Sequence, residues 1–440
     1  MDTGARIPFH LRGNYAPVPD EVTLTDLRVE GAIPPELTGV YLRNGPNPAK
    51  APSAHWFLGE GMLHGVRIEN GRAAWYKNHQ TRTRRWDGEQ RTPPIMDRGI
   101  TTANTHIVRH AGKFMALEEG SFPFEVTADL ESVGIHDFGG KLTTAFTAHP
   151  KICPETGEMH AFGYGFMPPF MTYHVIDKTG ALTKSVEIPF RAPVMVHDFA
   201  MTRNYVIFMD LPIVFDISIA MQGRFPYVWS DAHGARLGVM KRGGDASDLK
   251  WFEIEPCYVF HPGNAYEEDG AIVIDVARYP SLWRGKSEDF ENGSKLHRWR
   301  MDLAKETVDE ERLDELNAEF PRIDDRRAGL KNRVIFAAAS PSRGIGEDTD
   351  HFDRVLRLDR HTGERTVKEF GEGAMASGFA FAAGGKGEGE GWVMGFVWDR
   401  ATNTSDLVIL EADSLKETAR IKLPRRVPQG FHGDWFADPA

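Results

Sequence analysis

Four of the 17 histidines in this 440-residue chain share a setting. His149 in FTAHPK, His197 in MVHDFAM, His261 in VFHPGNAYE and His432 in GFHGDW each stand at the end of an apolar, strand-like run where the chain turns. Strand ends at the mouth of a closed or radial sheet are where such folds bring side chains to one point. The gaps between the four are far too long for the local clip of a zinc finger, so only the fold can gather them. Once gathered, an all-imidazole shell suits iron, copper, zinc or nickel rather than calcium or magnesium. Four ligands leave two positions of an octahedron open, as oxygen chemistry at ferrous iron requires, whereas a structural zinc closes its tetrahedron.

The elements that must position these residues read as strands. GVYLRN from Gly39, KFMALEE from Lys113, NYVIFMD from Asn204, AIVIDV from Ala271, RVIFAAA from Arg333, GWVMGFVWD from Gly391 and DLVILE from Asp406 are short and rich in β-branched and aromatic residues. IENGRAAW from Ile68, IDKTGALTKSVEI from Ile176 and LRLDRHTGERTVKEF from Leu356 place Asn-Gly or Thr-Gly between extended segments and predict hairpins. Helical periodicity stands out only over roughly Thr307 to Asn317 (TVDEERLDELN). The fold class is therefore all-β. A chain of this length must close its sheets or repeat them radially to dispose of exposed edges, which predicts a propeller or large barrel. No linker divides it, so residues 1–440 are expected to form one domain, with about residues 1–25 packing on the outside.

Composition narrows the function. Against 52 Lys and Arg stand 63 Asp and Glu, a net charge of −11, the wrong sign for a surface that tracks phosphates, so no nucleic-acid role is expected. Two cysteines, Cys153 and Cys257, make no disulfide framework and read as buried thiols in a reducing, cytoplasmic compartment. The N-terminus lacks a signal-like apolar stretch, and no run is long enough to span a membrane. The most apolar stretch, Tyr205 to Phe215, is broken by Asp210 and Pro212 and reads as a buried strand and loop, the alternative being a membrane-facing patch. GGKGEGEG from Gly384 lacks the ending of a phosphate loop and reads as a hairpin turn.

GVYLRNGPNP from Gly39, GEGMLHGVRI from Gly59, ANTHIVRHAGKFMALEEG from Ala103, the four histidine contexts, EFPRIDDR from Glu319 and GFHGDW resemble the carotenoid cleavage oxygenase family, which includes apocarotenoid and lignostilbene dioxygenases. The resemblance runs from about Leu27 to Trp435. It implies a seven-bladed β-propeller with a cap of loops and short helices over one face, and Fe(2+) on the axis held by His149, His197, His261 and His432. It also implies three glutamates that fix the ligand rings through their other nitrogens, as ligating histidines need. Glu119 and Glu319 match two of them, and Glu388 the third, with Glu390 as its alternative; the bland reading of each is a solvated charge. The chemistry implied is cleavage of a C=C bond by O2 into two carbonyls, without nicotinamide, flavin or pterin and with no side-chain acid or base obligatory.

Thr105 is implied to lie near the metal, the alternative being a buried strand threonine. Trp56, Phe57, Phe122, Tyr164, Phe166, Phe170, Phe215 and Phe431 are candidates to line a tunnel for a long conjugated, apolar alkene, about half of them being plain core. Stilbenoid cleavers of the family carry a lysine just before the first glutamate and a tyrosine upstream. Here Glu118 stands at the first place and Trp86 roughly at the second, so a carotenoid or apocarotenoid is expected ahead of a stilbenoid or other phenylpropenoid. An inactive propeller serving as a binding scaffold is the non-enzyme alternative. Membrane contact is expected to be weak and peripheral at most, and the oligomeric state is left open.

Overall fold

The computed structural model describes residues 7–90, 97–285, 290–345 and 351–439, and it is built almost wholly of antiparallel strands. The runs read as strands all lie in strands, and the Asn70-Gly71, Thr179-Gly180 and Thr362-Gly363 turns each join two neighbours of one sheet. Asn70 and Gly71 both have positive φ, the conformation a two-residue hairpin needs.

Four-stranded units follow one another along the chain. The first begins at His106–His110, the second at Lys151–Ile152 and the third at Ala200–Met201. A seven-stranded sheet from Tyr258–Glu268 to Arg365–Glu369 is two further units fused through one long strand, Thr307–Arg322. The sixth unit is built on Gly391–Asp399 and takes Val29–Gly31 as its outer edge. The seventh is closed by Gly433–Ala437 pairing with Gly39–Pro46, so segments from opposite ends of the described chain complete one sheet. The result is a seven-bladed ring that leaves few free edges.

Thr307–Arg322 corrects the helical reading of Thr307–Asn317. Its first half pairs with Lys295–Asp302 and its second half with Val334–Ser340. Asp309 stands opposite Arg300, Glu311 opposite Arg298, and Glu310 accepts a hydrogen bond from the Trp299 indole at 2.7 Å. Cross-strand pairs thus outweigh the helix propensity of its Glu and Leu residues.

The first strand of each unit lies nearest the axis. Residues from His106–His110, Lys151–Ile152, Ala200–Met201, Tyr258–Glu268, Thr307–Arg322 and Gly433–Ala437 line a common central cavity. Cap and N-terminal segment meet over this ring: Tyr15 is buried against Trp56, while Val22–Leu24 adds an edge strand beside Arg72–Gln80. Cys153 and Cys257 are buried and free, and the Gly384 run joins Ala380–Ala383 to Gly391–Asp399. The Tyr205–Phe215 stretch forms two short strands, and the short helix after it, Ile217–Met221, exposes Ile217 and Met221.

Candidate metal centre

Three of the four histidines precede or open a first strand, and His261 sits near the start of its own, so the blades deliver all four to the axis. Their Nε2 atoms stand 3.1 Å apart from His149 to His197, from His197 to His261 and from His261 to His432. All four ligand atoms lie within 4.8 Å of one another, on buried side chains. Such crowding of unlike-bonded ring nitrogens makes sense around a shared cation. Burial, reinforced by the neighbouring imidazoles, holds His149, His261 and His432 well below the usual histidine range, so they are neutral and present lone pairs. Burial acts in the same sense on His197, but the Glu119 carboxylate outweighs it and raises that group.

The carboxylates answer the expectation in part. Glu319 Oε2 lies 2.6 Å from His261 Nδ1 and also accepts from the Phe320 N–H at 2.6 Å. Burial pushes the Glu319 carboxyl up to about 8, with the Phe320 N–H opposing the shift. Glu119 Oε1 is in close contact with His197 Nδ1, and its other oxygen accepts from the Tyr164 hydroxyl at 2.5 Å. Glu388 stands elsewhere. Its carboxylate accepts from the backbone N–H groups of Arg333 and Val334 and faces Arg327 at 3.6 Å, capping a strand start. Glu390 accepts from the Gly387 N–H inside its own turn.

Among the described residues no carboxylate is paired with His432. Its ring packs on Phe320 at 5.3 Å, and its backbone N–H donates to Thr105 O. Behind Phe320 stands Gly378, where even a Cβ would come within 3.0 Å of Phe320 Cβ. His149 Nδ1 faces Asp198 at 3.8 Å, beyond hydrogen-bond reach, and Asp198 is held by Lys151 at 2.7 Å.

A fifth histidine was missed by sequence reasoning. His106 lies 5.5 Å from the His149 ring and 5.2 Å from that of His432. Both of its nitrogens are engaged by other groups, Nδ1 by the Ala148 carbonyl and Nε2 by the Asp434 carboxylate. Asp434 in turn pairs with Arg322. The ANTH motif contained this histidine, but only the fold brings its partner from the far end of the chain.

The aromatic candidates divide. Trp56, Phe57 and Phe431 form one packed wall, with Phe57 5.6 Å from Phe431 and 6.3 Å from Phe260, which meets His197 at 5.2 Å. Asn104 fixes this wall by donating to the Phe57 and Gly59 carbonyls. Tyr164 joins the metal centre through Glu119. Phe166 stacks on Phe215 at 5.0 Å, beside exposed Met167, and Phe215 meets Tyr227. Phe170 packs in the neighbouring blade cluster and Phe122 in another, both away from the histidines. Trp86 lies between Lys50 and Arg82, apart from the wall. Glu118 turns back onto the Gly120 N–H, and the Thr105 hydroxyl onto Asn104.

A ring of blades with four converging imidazoles at its axis defines a metal-dependent enzyme of propeller fold. A family model described as retinal pigment epithelial membrane protein matches residues 15–437. A carotenoid cleavage oxygenase of Mycobacterium tuberculosis is 36% identical, over 97% of each chain, and a carotenoid 9,10(9',10')-cleavage dioxygenase of Arabidopsis thaliana is 34% identical, over 97% of this chain and 90% of that one. A lignostilbene dioxygenase of Pseudomonas brassicacearum superposes with a TM-score of 0.89 at 26% identity, covering 98% of this chain and 99% of that one. Cobalt-substituted Synechocystis ACO shares the fold, with a TM-score of 0.85 at 24% identity over 97% and 98%. The chain belongs to the carotenoid cleavage oxygenase family and is an oxygenase of that family.

Proposed function

We propose that the enzyme is a non-haem Fe(2+) dioxygenase that cleaves a C=C bond of a carotenoid or apocarotenoid. The observation that carries this reading is the convergence of four Nε2 atoms beside an aromatic wall. The donor set fits ferrous iron: four imidazole nitrogens, no thiolate, and two rings oriented by Glu119 and Glu319. When bound, the ion supplies a site at which O2 and the alkene react. The C=C and O–O bonds break and two C=O bonds form, so the alkene provides the electrons and no further reductant enters.

The residues contribute orientation and exclusion. Glu119 and Glu319 accept the Nδ1 protons and so turn the Nε2 lone pairs of His197 and His261 inward. Phe57, Phe260, Phe320 and Phe431 shield the centre from water and offer flat apolar surface to a conjugated chain. Glu118, folded onto its own turn, offers no cation to a phenolate.

A stilbenoid or phenylpropenoid substrate is the second reading. The Tyr164 hydroxyl, which donates to Glu119, supports it because a phenol beside the metal centre is a hydrogen-bond partner for a phenolic oxygen. No helix among the described residues is long and apolar enough to cross a membrane. Exposed Met167, Ile217 and Met221 support weak peripheral contact, and the two free buried cysteines a cytoplasmic location. Iron-loaded enzyme incubated in air with a carotenoid, apocarotenals, resveratrol and isoeugenol tests all of this by mass spectrometry of the carbonyl products. Apocarotenals are expected; aromatic aldehydes alone would select the second reading, and no product from any substrate would refute both.

A further inference from the structure

In two ligand segments, those of His261 and His432, the histidine marks a change of side. Phe260 and Phe431, which precede their ligands, belong to the aromatic wall. Pro150 and Lys151, Asp198 and Phe199, Pro262 and Gly263, and Asp434 follow their ligands and line a cavity of about 420 Å³ that reaches His149, His261 and His432. Trp56, Phe57 and Phe431 are not among its lining residues. The cavity is a shaft along the propeller axis, since segments of six blades surround it, and exposed Arg109, Asp325 and Arg326 stand at its open end.

The shaft walls carry polar groups within a lining that also includes Phe199, Phe320 and Phe436. Asp198, Asp325 and Asp434 contribute carboxylates, Asn264 an amide and His106 a ring. The cations facing the same space are engaged: Lys151 by Asp198, Arg322 by Asp434, Arg326 by Asp324 at 2.6 Å and Arg109 by the Ala437 carbonyl at 2.9 Å. A divalent ion shedding water needs oxygen or nitrogen groups in its place, because an ion in apolar surroundings loses several kcal/mol of solvation even after relaxation. The shaft offers such groups between its mouth and the ligands, whereas Trp56, Phe57 and Phe431 of the aromatic wall carry no charge.

We propose that this shaft is the route by which the metal ion reaches and leaves the four histidines, leaving the aromatic side to the alkene. The proposal rests on the metal-centre reading above. Ala328, half-buried beside Asp325 and Arg326, lines the shaft near its mouth, so a large side chain there obstructs passage without touching a ligand.

The test uses metal-stripped full-length protein and cobalt(II) as the probe, followed by stopped-flow absorbance. Ala328→Trp is expected to slow cobalt uptake and chelator-driven release by the same factor, tenfold or more. Final occupancy and the KM of the iron-loaded enzyme stay unchanged, because an obstacle on a path changes both rates and not the equilibrium. Should the tryptophan variant fold poorly, Ala328→Cys blocked by a disulfide-forming reagent repeats the test reversibly, since both native cysteines are buried. Uptake should slow as the attached group grows and recover on reduction. Unchanged rates in both variants overturn the route, as does lower occupancy with unchanged uptake. Wild-type protein that takes up neither cobalt nor ferrous iron would instead bring down the metal-centre reading itself.

Discussion

On one side of the four histidines the wall is made of rings, with Trp56, Phe57, Phe260 and Phe431 packed edge to face or tilted on one another. On the other side Lys151, Asp198, Arg322 and Asp434 face each other in ion pairs around an open shaft. Tyr258–Glu268 and the segment of Phe431 and His432 contribute to both, with the boundary at the ligand, while Trp56 and Phe57 come from a short helical turn. The contrast teaches how a radial fold can serve two reactants of opposite character: alternate ends of its innermost strands carry different chemistry, and the metal ligands sit where the two meet.

The strongest way to break this comparison is at the boundary. His261→Ala should abolish stable metal binding and bring alkene cleavage to background, checked by metal analysis and product formation; a variant that retained both would place the centre elsewhere. Glu319→Gln should weaken metal binding by about 10- to 100-fold, the usual cost of losing a partner behind a ligating histidine, as read by cobalt titration. An unchanged affinity would show that the ring of His261 is held by packing alone. Phe431→Ala removes a buried ring from the dry side and should lower stability by about 3–5 kcal/mol while raising the KM for the alkene. Cobalt uptake rates should not fall, and a matching slowdown in uptake would erase the distinction between the two sides. Trp86→Ala should change kcat/KM by less than about twofold and stability by about 1 kcal/mol or less, since its ring is held by Lys50 and Arg82 outside both regions.

The strands and hairpins were legible because their signals are local: alternating β-branched runs and Asn-Gly or Thr-Gly turns. Thr307–Arg322 was misread because its glutamates answer arginines on a neighbouring strand, which no window along the chain displays. The four histidines were visible through their motifs, and Glu119 and Glu319 with them. Glu388 was drawn to the wrong partner because an acidic cluster before Gly-Trp suits a strand-capping turn equally well. His106, Asp198 and Asp434 had no legible role, since each acquires its partner only when another blade closes on the axis.

Ring closure carries a consequence for timing. His149, His197 and His261 lie on successive blades and can assemble through contacts of modest separation, whereas His432 arrives with the strand that pairs back to Gly39–Pro46. That pairing spans nearly the whole chain and is the slow step expected of non-local β-topology. Three ligands are therefore expected to gather before the fourth. Metal bound to the finished quartet ties this closing strand to the second, third and fourth blades, and hydrogen exchange across the Gly39–Pro46 and Gly433–Ala437 ladder should report its presence.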